Sequence, residues 1–175
     1  MKKQAFSGED VTIVVCAYKE CKYLEESILS VINQSVKTRV VISTSTPNDF
    51  INGLAEKYHL EVWINPDGGH AKDYNFAIKR TSTPVCIMAH QDDLMHTDFV
   101  KKSLEAINDS DRPIIAFTDY KEMHGTTIDK VDSQMVRIKR FLLWPMKIKW
   151  LSNMVFGKRL CQCLGDPITH PSVTY

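Results

Sequence analysis

No run of apolar residues approaches the ~20 needed to span a bilayer, so a membrane-spanning helix is not expected. Nothing ahead of the first strand-like segment has the apolar stretch of a signal peptide, and an intracellular, cytoplasmic domain is expected. Excess charge of one sign is also missing. The 22 Lys and Arg stand against 21 Asp and Glu, a net charge of +1, so no global field gathers nucleic acid, and no nucleic-acid partner is expected. The five cysteines are odd in number and lack a paired framework, which suits a reduced protein. Cys161 and Cys163 form a Cys-x-Cys with no second half, which argues against a zinc site. Internal repeats and low-complexity tracts are absent. At 175 residues the chain suits one domain, 1–175, able to bury a real core.

What the sequence does have is a regular alternation. Residues 11–17 are a β-branched apolar run; Arg39 to Ser43, Leu60 to Ile64, Pro84 to Ala89 and Ile114 to Thr118 repeat the theme. Between them, Tyr23 to Gln34 sets Leu24, Ile28, Val31 and Ile32 on one helical face. Thr46 reads as the N-cap, and Pro47 as the first turn, of a helix reaching Tyr58. Asn65-Pro66-Asp67-Gly68-Gly69 is turn chemistry before a helix from Lys72 to Arg80. Thr97 is placed to cap a helix carrying Phe99, Val100, Leu104 and Ile107. Strands alternating with helices of about ten residues predict a three-layer α/β/α domain with a mostly parallel sheet.

After Asp119 the pattern weakens. His124-Gly125-Thr126-Thr127 reads as a hairpin tip. Residues 137–150 mix Arg137, Lys139, Arg140, Lys147 and Lys149 with Phe141, Trp144 and Trp150. Two accounts fit: an ordinary amphipathic segment with packed aromatics, or an acceptor-facing or membrane-surface element. Pro145 interrupts any helix there.

The chemistry concentrates where Val85-Cys86-Ile87-Met88-Ala89 breaks into His90-Gln91-Asp92-Asp93. Neighbouring side chains of a strand point to opposite faces, so two adjacent aspartates converge only where the strand ends. In open parallel sheets that is the ligand-binding edge. Like charges held close repel unless a cation or proton relieves them. A divalent ion such as Mn²⁺ or Mg²⁺ at Asp92 and Asp93 is that relief. The bland alternative is a solvated loop whose aspartate caps the next helix.

The order of these features resembles the nucleotide-binding half of a family-2 glycosyltransferase of the GT-A fold. Such enzymes transfer a sugar from a nucleotide diphosphate donor, usually with inversion. The resemblance rests on Cys16-Ala17-Tyr18-Lys19-Glu20, on Ser27 to Gln34, on Gly69 to Asn75 and on His90 to Asp93. Gly165-Asp166-Pro167-Ile168-Thr169-His170-Pro171-Ser172 is similar to the family's acceptor-side strand. Four weak motifs in the right order are fairly specific. The resemblance implies that 1–118 forms the nucleotide-sugar-binding part and 119–175 begins the acceptor side. It also implies a uridine-type donor, a saccharide or lipid-linked acceptor, cell-envelope polysaccharide assembly at the inner membrane face, and peripheral membrane contact or self-association.

Three departures stand out. Where the family usually ends its second strand in paired aspartates, this chain has Ser43-Thr44-Ser45-Thr46. The first acid of the metal motif is His90. The catalytic carboxylate usually follows the acceptor-side strand, and the chain reaches Tyr175 inside what reads as that strand, so the base is expected beyond it and the domain reads as truncated. The implied nucleotide-binding residues are Ala17, Tyr18, Glu20, Thr44, Asp49, Lys72, His90 and Asp92; Asp119 and His170 are the candidates for proton transfer. A phosphohydrolase would be expected to carry a carboxylate after the first strand, which ends in Cys16-Ala17-Tyr18. A non-catalytic nucleotide-sugar-binding or partner-binding domain stays open, because no base is visible.

Overall fold

A strand apolar on both faces needs cover on both sides. β1 (Val11–Ala17) is buried without a break from Val11 to Val15. In a computed structural model, which describes residues 5–110, 113, 115–124, 127–128, 132–156 and 173–174, that cover comes from helices on both faces. β2 (Arg39–Thr44), β3 (Glu61–Ile64) and β4 (Val85–His90) pair in parallel with β1 or with each other. The helices are α1 (Leu24–Ile32), α2 (Asp49–Lys57), α3 (His70–Arg80) and α4 (Phe99–Asp109). Two further strands, β5 (Ala116–Phe117) and a last one at Val173–Thr174, complete a six-stranded sheet. A separate hairpin of β6 (Met123–His124) and β7 (Thr127–Ile128) flanks the expected tip, so that last strand is β8. Gly125 and Thr126 of the tip lie outside the described residues, as do Ile114 and Cys161 to Ser172.

The period-two alternation of β1 divides the core. Val11, Ile13, Val15 and Ala17 face α1, α2 and α4, against Leu24, Ile28, Ile51 and Val100. Val14 faces the other way with Val41, Trp63 and Met88, under Ala77 of α3. Each such aliphatic side chain contributes about 2 kcal/mol when fully buried. The architecture is the expected three-layer α/β/α.

Sheet order is β3-β2-β1-β4-β8-β5. The chain winds outward from β1 through β2 and β3, then returns to β1's other side with β4. β1 and β4 therefore flank a topological switch point, where a crevice opens beyond the strands' carboxyl ends. β8 runs antiparallel to both β4 and β5, wedged between them.

Three helix starts differ from expectation. α2 is capped by Asn48, whose Oδ1 accepts the Ile51 amide at 2.9 Å. Thr46 is unavailable because its hydroxyl accepts the Lys19 amide at 2.6 Å. At α4, Asp98 occupies the N-cap without a side-chain bond. The Val100 amide is instead satisfied by Gln34 Oε1 of the segment after α1, at 3.1 Å. α3 begins at His70, two residues ahead of Lys72, after Gly68 and Gly69 turn the chain at φ +55° and +114°. The second value is one that side chains with a Cβ rarely adopt.

Beyond β7 lie α5 (Gln134–Leu142), a 3₁₀ turn (Trp144–Lys147) with Pro145 in its first positions, and α6 (Lys149–Asn153). Phe141, Trp144 and Trp150 are exposed, contrary to the packed-aromatic account. Among the described residues no helix is long and apolar enough to cross a membrane.

Candidate functional site

Parallel register lines up one row of side chains near the sheet's carboxyl edge. Cys16 of β1 stands opposite Ser43 of β2 and opposite His90 of β4. All three face α3, because Cys16 alternates with the Ala17 that points to the opposite core. α3 lays His70, Asp73 and Tyr74 over this row at i, i+3 and i+4, one face of a helix. Between row and helix lies a cleft of about 340 Å³ whose lining also includes Ala17, Tyr18, Gly69, Gln91 and Asp92.

Each wall is held by bonds between segments far apart in sequence. The Asp73 carboxylate accepts the Asn65 amide at 2.7 Å on one oxygen and the Ser45 hydroxyl at 3.0 Å on the other. Tyr74 Oη bonds His90 Nε2 closely and packs edge-on to it. The Tyr18 amide donates to Gln91 Oε1 at 2.8 Å, tying the end of β1 to the loop after β4. Lys19 beside it is in the left-handed region at φ 55°, held by Thr46. Cys16 is no ready nucleophile: its thiol is pushed up to about 12 by burial first, then by Cys86 and Asp73.

At the cleft's other end, one ligand atom each from His90, Asp92 and Asp93 lie within 4.8 Å of one another. His90 Nδ1 is 3.6 Å from Asp93 Oδ2. The Asp93 carboxyl is raised above its ordinary value by burial foremost; His90 opposes that rise and Asp92 adds to it. Two carboxylates and an imidazole are a suitable donor set for a divalent cation, and the nitrogen suits Mn²⁺ better than Mg²⁺, which favours oxygen alone. The loop carrying them is fastened to α1 and the turn after it. Ser27 Oγ donates to the His90 carbonyl at 2.7 Å, Ser30 Oγ accepts the Met95 amide at 3.1 Å, and Gln34 Nε2 donates to the His96 carbonyl at 3.0 Å.

Of the residues named from sequence, Ala17, Tyr18, His90 and Asp92 line the cleft, and Asp93 adjoins them. Thr44 is buried behind it, its hydroxyl accepting the Thr46 amide. Glu20, Asp49 and Lys72 are exposed and are not among its lining residues. Asp119 is bound through both oxygens by Arg140, at 2.8 and 2.7 Å. Arg140 in turn reaches the Tyr120 carbonyl and Asp132. His170 lies outside the described residues. Sequence reasoning missed Ser43, His70, Asp73, Tyr74 and Gln91 as cleft residues. The i, i+3, i+4 spacing of the α3 trio was the legible signal.

A mostly parallel sheet with its cleft at the switch point and an acidic cluster ending the central strand defines the GT-A class of nucleotide-sugar transferase folds. Residues 12–165 match the family described as Glycosyl transferase family 2, and the chain belongs to that family. Comparison with curated proteins gives no match. Among solved structures, 91 chains match. Mannosyl-3-phosphoglycerate synthase from Rubrobacter xylanophilus is 11% identical with a TM-score of 0.59, over 94% of this chain and 52% of that one. Glucosyl-3-phosphoglycerate synthase from Mycobacterium tuberculosis, solved with UDP, is 15% identical with a TM-score of 0.55, over 85% of this chain and 53% of that one. A mannosyltransferase from Pyrobaculum calidifontis, solved with GDP-Man and Mn²⁺, is 21% identical with a TM-score of 0.49, over 62% and 36%. The chain thus spans about half or less of the length of these structures.

Proposed function

We propose that the cleft binds a nucleotide-diphospho-sugar and that this site transfers the sugar to an acceptor hydroxyl, with Mn²⁺ or Mg²⁺ held by Asp92 and Asp93. The carrying observation is the convergence of His90, Asp92 and Asp93 within 4.8 Å at the switch-point edge, beside a cleft that opens between β1, β4 and α3. When bound, the cation supplies Lewis-acid neutralisation of the diphosphate. The chain's own residues bind and orient. Ala17 and Tyr18 flank the nucleoside, Gln91 fixes the Tyr18 backbone, and Tyr74 orients His90. Residues 1–118 make the donor side in this reading, and those from 119 onward begin the acceptor side. There the exposed Phe141, Trp144 and Trp150 face a saccharide or lipid-linked acceptor or a membrane surface.

Thermal shift with UDP and Mn²⁺, singly and together, tests the proposal. The pair should stabilise the fold more than the sum of its parts. At ~100 times its dissociation constant a ligand adds about 2.7 kcal/mol, a readily measured shift. Asp93→Asn should abolish the metal-dependent part and leave the unliganded fold intact. Equal metal-dependent binding by wild type and Asp93→Asn would refute the reading. A non-catalytic binding domain is the second reading, favoured by one observation: Arg140 already occupies both oxygens of Asp119, leaving it poorly placed to take a proton. Metal-dependent binding of a nucleotide sugar without turnover, by a chain containing the acceptor side, would select it.

A further inference from the structure

α5 is amphipathic in the opposite sense to a helix packed on a core, whose apolar stripe faces inward. At about 3.6 residues per turn, Met135, Ile138 and Phe141 fall on one side of it, and Val136 and Arg140 on the other. The second side faces the domain: Val136 is buried, and Arg140 is bonded to Asp119, Asp132 and the Tyr120 carbonyl. The apolar stripe therefore points to solvent, with Phe141 71% exposed. Arg137 and Lys139 lie on its two flanks. The exposure continues past the helix in Trp144 and Trp150. The segment is nonetheless fastened down, since Pro145 is buried and Lys149 Nζ reaches both oxygens of Asp109, at the end of α4, at 2.9 Å.

A charge imbalance accompanies this face. From Ser133 to Phe156 the chain has five Lys and Arg and no Asp or Glu, in a molecule whose net charge is only +1. Arg140 and Lys149 are paired; Arg137, Lys139 and Lys147 form no ion pair among the described residues. A cationic face repels a second copy of itself. A nucleic acid or an acidic polysaccharide would match the cations but leave Met135, Ile138 and Phe141 in water. An anionic bilayer surface meets both demands, because the stripe enters the acyl boundary while the cations reach headgroups and tryptophan sits at the interface. We infer that α5 and the turn after it dock the chain on a membrane rich in anionic lipid, lying in the interface without crossing it. This partner goes beyond the donor-cleft reading and stands on different residues.

Sedimentation with vesicles of phosphatidylcholine, with and without phosphatidylglycerol, is the test. The chain should bind the anionic vesicles, more weakly as salt is added, and ignore the neutral ones. Its tryptophan emission should shift to the blue on binding; Trp63 is already buried, so the shift reports Trp144 and Trp150. Arg137→Gln with Lys139→Gln should weaken binding roughly 25-fold, about fivefold for each cation removed. Ile138→Ser with Phe141→Ser should abolish the emission shift and most of the binding without lowering the melting temperature, since both side chains are exposed. Equal binding to the two kinds of vesicle, or binding that survives Ile138→Ser with Phe141→Ser, would overturn the inference. So would a dimer in light scattering, or capture by an anionic polysaccharide or oligonucleotide, from a chain that ignores the vesicles. Vesicle binding lost while UDP and Mn²⁺ still bind strikes this surface alone; the reverse strikes the donor cleft alone.

Discussion

Gln34 offers the sharpest structural test because one buried side chain, 8% exposed, serves three backbone groups. Its Nε2 donates to the Ser30 and His96 carbonyls, both at 3.0 Å, and its Oε1 accepts the Val100 amide at 3.1 Å. α4 has no cap of its own at that amide, so Gln34 acts as one from across the fold. Gln34→Leu keeps the approximate volume and removes all three bonds. At about 1 kcal/mol per net hydrogen bond, the loss is about 3 kcal/mol. For a chain of this size that lowers the melting temperature by roughly 6–12 °C. Gln34→Glu should be no better, because it turns a donor into an acceptor facing two carbonyls. Urea denaturation followed by tryptophan fluorescence gives the free energy, and hydrogen exchange at the Val100 amide gives the location. A cost below ~1 kcal/mol with Val100 still protected would refute the reasoning. Since the same side chain holds the loop bearing Asp92 and Asp93, Gln34→Leu should also weaken metal-dependent nucleotide binding severalfold.

Asp93 carries a pH signature. Its carboxyl is raised in the folded chain, so the native state binds the proton more tightly than the unfolded state. That contribution to stability is complete below the ordinary carboxylate value and is lost as pH rises through the raised one. Asp93→Asn should therefore be at least as stable as wild type at neutral pH without metal, and Mn²⁺ affinity in wild type should fall as acid protonates the group; a melting and titration series from pH 4 to pH 8 checks both. Cys16, with its thiol pushed up to about 12, should resist iodoacetamide at pH 8 while the folded chain persists, as mass spectrometry after a timed pulse would show. Asp119→Ala should remove one of Arg140's two carboxylate partners, leaving Asp132, and cost about 1 kcal/mol or less, the worth of a half-exposed pair, read from urea curves.

The sheet's parallel strands were legible because continuous β-branched runs have no other stable home than a doubly covered sheet. The acidic cluster was legible because adjacent aspartates after an apolar run conflict with strand alternation. Caps were misread for a physical reason. Thr46 has the right chemistry for α2, but its hydroxyl is recruited to the Lys19 amide, and Asn48 takes the role. The α4 amide bonds a glutamine more than sixty residues away, a pairing that no local window contains. The same holds for the Tyr18–Gln91 and Asn65–Asp73 bonds that shape the cleft. Lys72, Glu20 and Asp49 were named from neighbouring motifs, yet helix phase and loop direction turn them outward to solvent. β8 falls in the stretch up to Tyr175 that the resemblance read as the acceptor-side strand, although two residues by themselves carry no period.

That short strand sets an order of events. Thr174 pairs with Ile87 on one side and Ala116 on the other, and its hydroxyl reaches Ser103 in the core. During synthesis β4 can be complete on its β1 side long before Val173 and Thr174 emerge. Until then its other edge presents unpaired amides and carbonyls beside the loop that holds Asp92 and Asp93, and open edges recruit foreign strands. Closing this seam requires contacts distant in sequence, which form slowly. The nascent chain thus passes through an interval in which the strand carrying its acidic cluster is also an open sheet edge.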